Sequence, residues 1–148
     1  MEIRIYIVDA FTENLFGGNP AAVCLLDNWV SDELMQNIAL ENNLSETAFL
    51  VKRDDLYEIR WFTPTVEVDL CGHATLASAF VLFEFYNINQ DQINFFSHRS
   101  GELKVFKESS KLFLDFPTDE LNKVGSFAEI ENGIGISPVE IYLSLIHI

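Results

Sequence analysis

Residues 74–86, ATLASAFVLFEFY, place apolar side chains at helical spacing. Leu76, Ala77, Phe80, Val81 and Leu82 cover more than half the circumference of that helix. A helix apolar on most sides cannot lie on a surface and has to be enclosed by other elements. The stretch is too short to span a bilayer, which takes about 20 apolar residues, and it carries Ser78 and Glu84. The rest of the chain must therefore wrap around a helix running from about His73 to Tyr86.

What remains reads mostly as strands. In IRIYIV (3–8), Ile3, Ile5 and Ile7 alternate with Arg4, Tyr6 and Val8, the pattern of a strand with one buried face. FTENLFGGNPAA (11–22) reads as a loop and AVCLL (22–26) as a short strand. Ser31 is placed to cap a helix whose stripe is Leu34, Met35, Ile38 and Ala39 and whose end is Asn42-Asn43. ETAFLVK (46–52) and YEIRWF (57–62) form a strand pair about the turn at Arg53-Asp54-Asp55. INFFS (93–97), ELKVF (102–106) and KLFLDF (111–116) add three strands. Strands grouped around one helix, rather than a βαβ alternation, give an α+β class with strands curving around a central α-helix.

A net charge of −14 repels phosphate backbones, so no nucleic-acid partner is expected. Cys24 and Cys71 lie in no CxxC or Cys/His ligand pattern, so neither a disulfide scaffold nor a metal site is expected. The start, MEIRIYIVDAF, lacks the basic and unbroken apolar parts of a signal peptide. The expectation is a cytoplasmic protein with no membrane association.

Three stretches can carry chemistry. FGGNPAAV (16–23) has the glycines for a tight turn and for close approach of backbone to a ligand, or for an ordinary hairpin loop. In NLSETAF (43–49), Glu46 sits where a loop enters an apolar strand. A carboxyl there is costly to ionise, which suits it to accept and return a proton, unless it lies at a solvated strand edge. In VEVDLCGHAT (66–75), a helix beginning at Gly72-His73 directs unpaired amides and a partial positive charge at whatever precedes it. An anionic oxygen is attracted there, Gly72 permits close approach, and His73 can donate a hydrogen bond or move a proton. Cys71, at the same end, reads as a base of lowered pKa or as a small buried residue.

Together FGGNPAAV, NLSETAF, WFTPTVEVDLCGHATLASA and SGELKV resemble the N-terminal half of the phenazine-biosynthesis (PhzF-like) family, over essentially Met1 to Tyr142. The resemblance implies one half of a diaminopimelate epimerase-like two-domain fold, in which the strands form one mixed, strongly curved β-sheet wrapped around a central α-helix and the active site lies in the cleft between halves. It implies a cofactor-independent isomerase that moves a proton on a small anionic, carboxylate-bearing metabolite. Glu46 would be the acid/base and His73 a cleft residue, with Asn19, Ser45, Cys71 and Gly72 lining the substrate site. It also implies a homodimer at full length. Two readings stand beside it: a two-base epimerase or racemase using Cys71, and a non-catalytic small-molecule binder on the same scaffold.

The expected domains are residues 1–118, an N-terminal PhzF-like unit, and 119–142, a connector and the start of a second half that would supply an aspartate and a glycine-rich anion-binding loop. Within the latter, Asn132-Gly133-Ile134-Gly135 reads as connector and Ser137-Pro138 as the opening of a helix. The final LSLIHI (143–148) matches the translation of a transposon-end sequencing adapter and is expected to be foreign to the natural chain. On that expectation the 148-residue chain holds an incomplete site and is inactive alone.

Overall fold

The computed structural model describes residues 2–118, 120–125 and 128–143. All of the adapter-like tail except Leu143 lies outside the described residues. The chain forms two compact units, Met1–Pro117 and Thr118–Ile148.

The first unit is an eight-stranded mixed sheet around one helix. Strands β1 (Ile5–Ala10) and β2 (Asn19–Leu26) form an antiparallel hairpin. Helix α1 (Asp32–Asn42) follows, then β3 (Glu46–Arg53), β4 (Leu56–Phe62) and the short β5 (Glu67–Val68). Helix α2 (Gly72–Phe85) leads to β6 (Gln92–Ser97), β7 (Gly101–Glu108) and β8 (Lys111–Asp115). The strand order is β1-β2-β3-β4-β6-β7-β8, with β5 paired to β4. The pairs β2/β3 and β4/β6 are parallel and the others antiparallel. Helix α2 packs on β1, β2 and β3 near one end of that order and on β7 and β8 at the other, so the sheet curls around it.

The composition of α2 explains this enclosure. His73, Ala74, Thr75, Ala77, Ser78, Ala79, Val81, Leu82 and Phe83 are all buried. The alanines and serine let strands approach closely. The two hydroxyls are satisfied inside the helix, with Thr75 Oγ1 donating to the Cys71 carbonyl at 2.6 Å and Ser78 Oγ to that of Ala74 at 2.7 Å. Phe80, expected on the buried surface, is exposed instead, on the side of α2 that faces a groove between β1 and β8.

Helix α1 lies against β3 and β4, and buries Met35 and Ala39 with Phe49, Val51 and Phe62. It starts and stops where its sequence directs. Ser31 Oγ accepts from the Leu34 amide at 3.3 Å, and Asn43 closes the helix in the left-handed region at φ 50°.

The structure corrects the face of β1. Ile5 and Ile7 point outward, Ile7 being 67% exposed, while Tyr6, Val8 and Ala10 turn inward. Both alternating sets are largely apolar, so periodicity alone does not choose between them. The second strand also begins earlier than expected, at Asn19. Pro20 is tolerated there because pairing with β3 starts only at Ala21, so its missing N–H breaks no ladder between β2 and β3.

In the second unit, β9 (Asn122–Val124) pairs antiparallel with β10 (Ile141–Leu143), and α3 (Ala128–Ile134) lies between them in sequence. Residues 132–134, expected as connector, are the end of α3. Ser137-Pro138 opens no helix; the chain runs irregularly from there into β10.

Candidate active site

The site forms where three chain segments meet. Strand β2 begins at Asn19, and β3 begins at Glu46 beside it, with Ala21 opposite Glu46 in the parallel ladder. This register sets the loop residues before both strands at one end of the sheet. Ser45 Oγ donates to Asn19 Oδ1 at 3.0 Å and ties the two strand ends together. Helix α2 brings its amino end to the same place, with Cys71 at the N-cap and Gly72 as first helical residue.

The three reactive side chains converge. Glu46 Oε2 lies 3.2 Å from His73 Nε2, and Cys71 Sγ lies 3.3 Å from His73 Nδ1. One donor atom from each of Glu46, Cys71 and His73 falls within 4.8 Å of the others. The Glu46–His73 approach lacks the alignment of a hydrogen bond. Both atoms are buried with no hydrogen-bond partner among the described residues. Buried polar atoms are paired in the great majority of cases, so two orphans facing each other mark a place prepared for something else.

Electrostatics at the helix end pull in opposite directions. Burial pushes the Cys71 thiol up to about 12, and the nearby Glu46 carboxyl pushes the same way. The amides of Ala74 and His73 favour the thiolate but do not offset the burial. Of the two readings of Cys71, the small buried residue is the one the structure favours: desolvation outweighs the helix-end charge, and burial keeps the thiol neutral. Burial also holds His73 below the ordinary histidine value, partly countered by Glu46 and by the Pro20 carbonyl. His73 is thus a neutral imidazole near pH 7, able to donate through one nitrogen and accept through the other.

The N-cap of α2 makes no side-chain cap hydrogen bond, although the His73 and Ala74 amides already approach Cys71 Sγ, so an anion at this helix end meets the partial positive charge beside the thiol. Gly72 is partly exposed there, and a Cβ on it would meet Leu114 and Phe116 at an ordinary 3.5 Å. The fold does not demand glycine at this position, so its value lies in the room it leaves above the helix end.

Glu46, Cys71, Gly72 and His73 therefore lie together, with Asn19 and Ser45 paired at the adjoining strand ends. Sequence reasoning missed Phe11. Its ring centroid is 6.5 Å from that of His73, and its backbone is held in the left-handed region at φ 63°. A bulky residue there is strained. The loop's glycines signal a tight turn, but nothing in the sequence singles out the phenylalanine.

The chain matches the family described as phenazine biosynthesis-like protein (PhzC-PhzF) over residues 8–130. It belongs to that family. An uncharacterized isomerase of Pseudomonas aeruginosa is 52% identical over 141 residues, covering 95% of this chain and 54% of the relative. The crystal structure of a PhzF-family phenazine biosynthesis protein of Enterococcus faecalis superposes with a TM-score of 0.87 at 50% identity, over 97% of this chain and 55% of that one. A Pseudomonas aeruginosa protein described as a "predicted epimerase" shares the fold, with a TM-score of 0.69 at 20% identity over 92% of this chain and 51% of that one. The chain spans about half the length of the curated relatives it matches. Among the described residues, no helix is long and apolar enough to cross a membrane.

Proposed function

We propose that this chain carries the acid/base half of a cofactor-independent isomerase that moves a proton on a small carboxylate-bearing metabolite. Relatives named as isomerases support the class. The observation that carries the reading is the pair of buried, unpartnered atoms, Glu46 Oε2 and His73 Nε2, at the amino end of α2.

The chemistry follows from the parts. A substrate carboxylate or enolate oxygen is held at the amino end of α2, where developing negative charge is stabilised. The Glu46 carboxyl takes a proton from the adjacent carbon, and the electron pair moves into the conjugated carbonyl. Glu46 then returns the proton to another carbon, so one group serves as base and then as acid. His73 supports the shuttle by presenting a neutral ring nitrogen to the same oxygen or to Glu46. Asn19 and Ser45 line the entrance. At full length the protein is a cytoplasmic homodimer whose second half completes the cleft.

The two-base epimerase reading is weakened by the raised Cys71 thiol, which is a poor base at neutral pH. A label experiment separates the alternatives. The full-length gene product is incubated in heavy water with a panel of small 2-amino, 2-hydroxy and unsaturated carboxylic acids. Migration of a substrate hydrogen between two carbons of one molecule supports the single carboxyl. Deuterium entering with inversion at one carbon overturns it in favour of two bases. Neither hydrogen migration nor deuterium uptake across the panel overturns it in favour of a binding protein.

A further inference from the structure

We propose that Glu46, Cys71 and His73 form an inhibitory site for a thiophilic divalent cation of the zinc and cadmium class. The donor set is one thiol, one imidazole and one carboxyl, with donor atoms within 4.8 Å of each other. Three protein donors with a fourth position left open is a geometry zinc accepts. Zinc-bound sulfur and nitrogen in a tetrahedral site stand about 3.3–3.8 Å apart, from bond lengths of about 2.3 and 2.0 Å. The Cys71 Sγ to His73 Nδ1 separation, 3.3 Å, already falls there. Glu46, which faces the other ring nitrogen, has to turn its carboxyl toward the Sγ and Nδ1 side to join them.

The second, independent observation is burial without a partner. His73 is only 8% exposed, and its Nε2 has no hydrogen bond among the described residues. That nitrogen faces Glu46 Oε2, which is likewise unpartnered. A cation held by Cys71 Sγ, His73 Nδ1 and the Glu46 carboxylate gives the orphaned Glu46 oxygen a partner; Nε2, on the other side of the ring, is not a ligand of the same ion. The cation binds Cys71 as the thiolate, the thiol proton leaving to solvent. One ring nitrogen of His73 coordinates, and the Pro20 carbonyl beside the ring is placed as an outer partner that orients it. Thiolate and imidazole select zinc or cadmium over magnesium or calcium, which prefer oxygen donors. The site is hidden from spacing rules because Glu46 comes from β3 while Cys71 and His73 come from the α2 end.

Occupancy would block Glu46 and His73, so the cation is an inhibitor rather than a cofactor. The binding readout needs no turnover, so it stands or falls separately from the proton-transfer reading. The 148-residue chain is titrated with Cd2+ while the ultraviolet thiolate-to-cadmium charge-transfer band is followed, with millimolar Mg2+ present to occupy the acidic surface. The expected result is a band saturating at one Cd2+ per chain, displaced by Zn2+. Cys71→Ala removes the band, and His73→Gln weakens binding at least tenfold. Cys24→Ala, at the other buried thiol, leaves both unchanged. A band that survives Cys71→Ala, or titration without any band in the folded chain, overturns the proposal. Circular dichroism shows whether each variant is folded, and His73→Gln serves if Cys71→Ala is not.

Discussion

Two glutamates in this protein are buried to a similar degree, and replacing them should move stability in opposite directions. The side chain of Glu46 is 19% exposed and that of Glu67 11%. Glu67 is fully engaged: Arg60 Nε donates to Oε1 at 2.7 Å, Arg60 Nη2 to Oε2 at 2.8 Å, and Arg99 Nη2 to Oε2 at 2.8 Å. Glu67→Met leaves the Arg60 guanidinium half-buried with Asp32 as its remaining carboxylate. Breaking a buried pair costs about 3–5 kcal/mol; the surviving Asp32 contact and partial exposure bring the expected loss to about 2–3 kcal/mol. Glu46 Oε2, by contrast, is buried with no hydrogen bond. An unsatisfied buried polar atom costs about 1–3 kcal/mol, and Met fills nearly the same volume. Glu46→Met should therefore stabilise the fold by about 1–2 kcal/mol, the signature of a residue kept for chemistry at the expense of stability. Urea unfolding gives both values as midpoint shifts at constant slope. A loss of stability in Glu46→Met as large as that in Glu67→Met would show that Glu46 is a paired structural group, and would refute the reasoning.

Three further outcomes are expected. Gly18→Ala should cost well over 1 kcal/mol, because Gly18 sits at φ +73° and an added Cβ would fall 2.2 Å from the Ala10 carbonyl oxygen, whereas Gly72→Ala should fold normally and weaken carboxylate binding, as thermal melts and calorimetry would show. Because burial lowers the His73 pKa in the folded state, the unfolded chain protonates first as pH falls. The contribution of His73 to stability is then fully present above about pH 6.5 and declines through that value as pH drops; the stability gap between wild type and His73→Gln, measured in urea at pH 7.5 and 5.5, should shift against wild type at the lower pH. With its thiol near 12, Cys71 should react with iodoacetamide at pH 8 far more slowly in the folded chain than in urea, as mass spectrometry would show.

Much of the architecture was legible because local signals and tertiary packing agree. The apolar belt of α2 demands enclosure, Ser31 and Asn43 bound α1, and the turn at Arg53-Asp54-Asp55 separates β3 from β4. Where both alternatives are apolar, as with Ile5 and Ile7 against Tyr6 and Val8, the sequence has no means to choose a face. Pro20 read as loop because proline usually interrupts a central strand, and only the late start of the β3 ladder makes it harmless. At the site, Glu46 and the amino end of α2 were each recognisable as reactive. Their meeting depends on the β2/β3 register and the curl of the sheet, which no local pattern encodes. The state of Cys71 stays open in the sequence for a related reason: the helix end is visible there, the burial that outweighs it is not. Phe11 escaped notice because its strain and its approach to His73 exist only in three dimensions.

Hydrogen migration between carbons is the most direct probe of Glu46. The full-length gene product and its Glu46→Gln variant are compared in heavy water on the same carboxylate substrate, with circular dichroism as the check on folding. A fall in the rate of hydrogen migration of at least about 100-fold, the usual contribution of a general acid/base, is expected for a variant that stays folded. An unchanged rate in folded Glu46→Gln would mean that another group moves the proton.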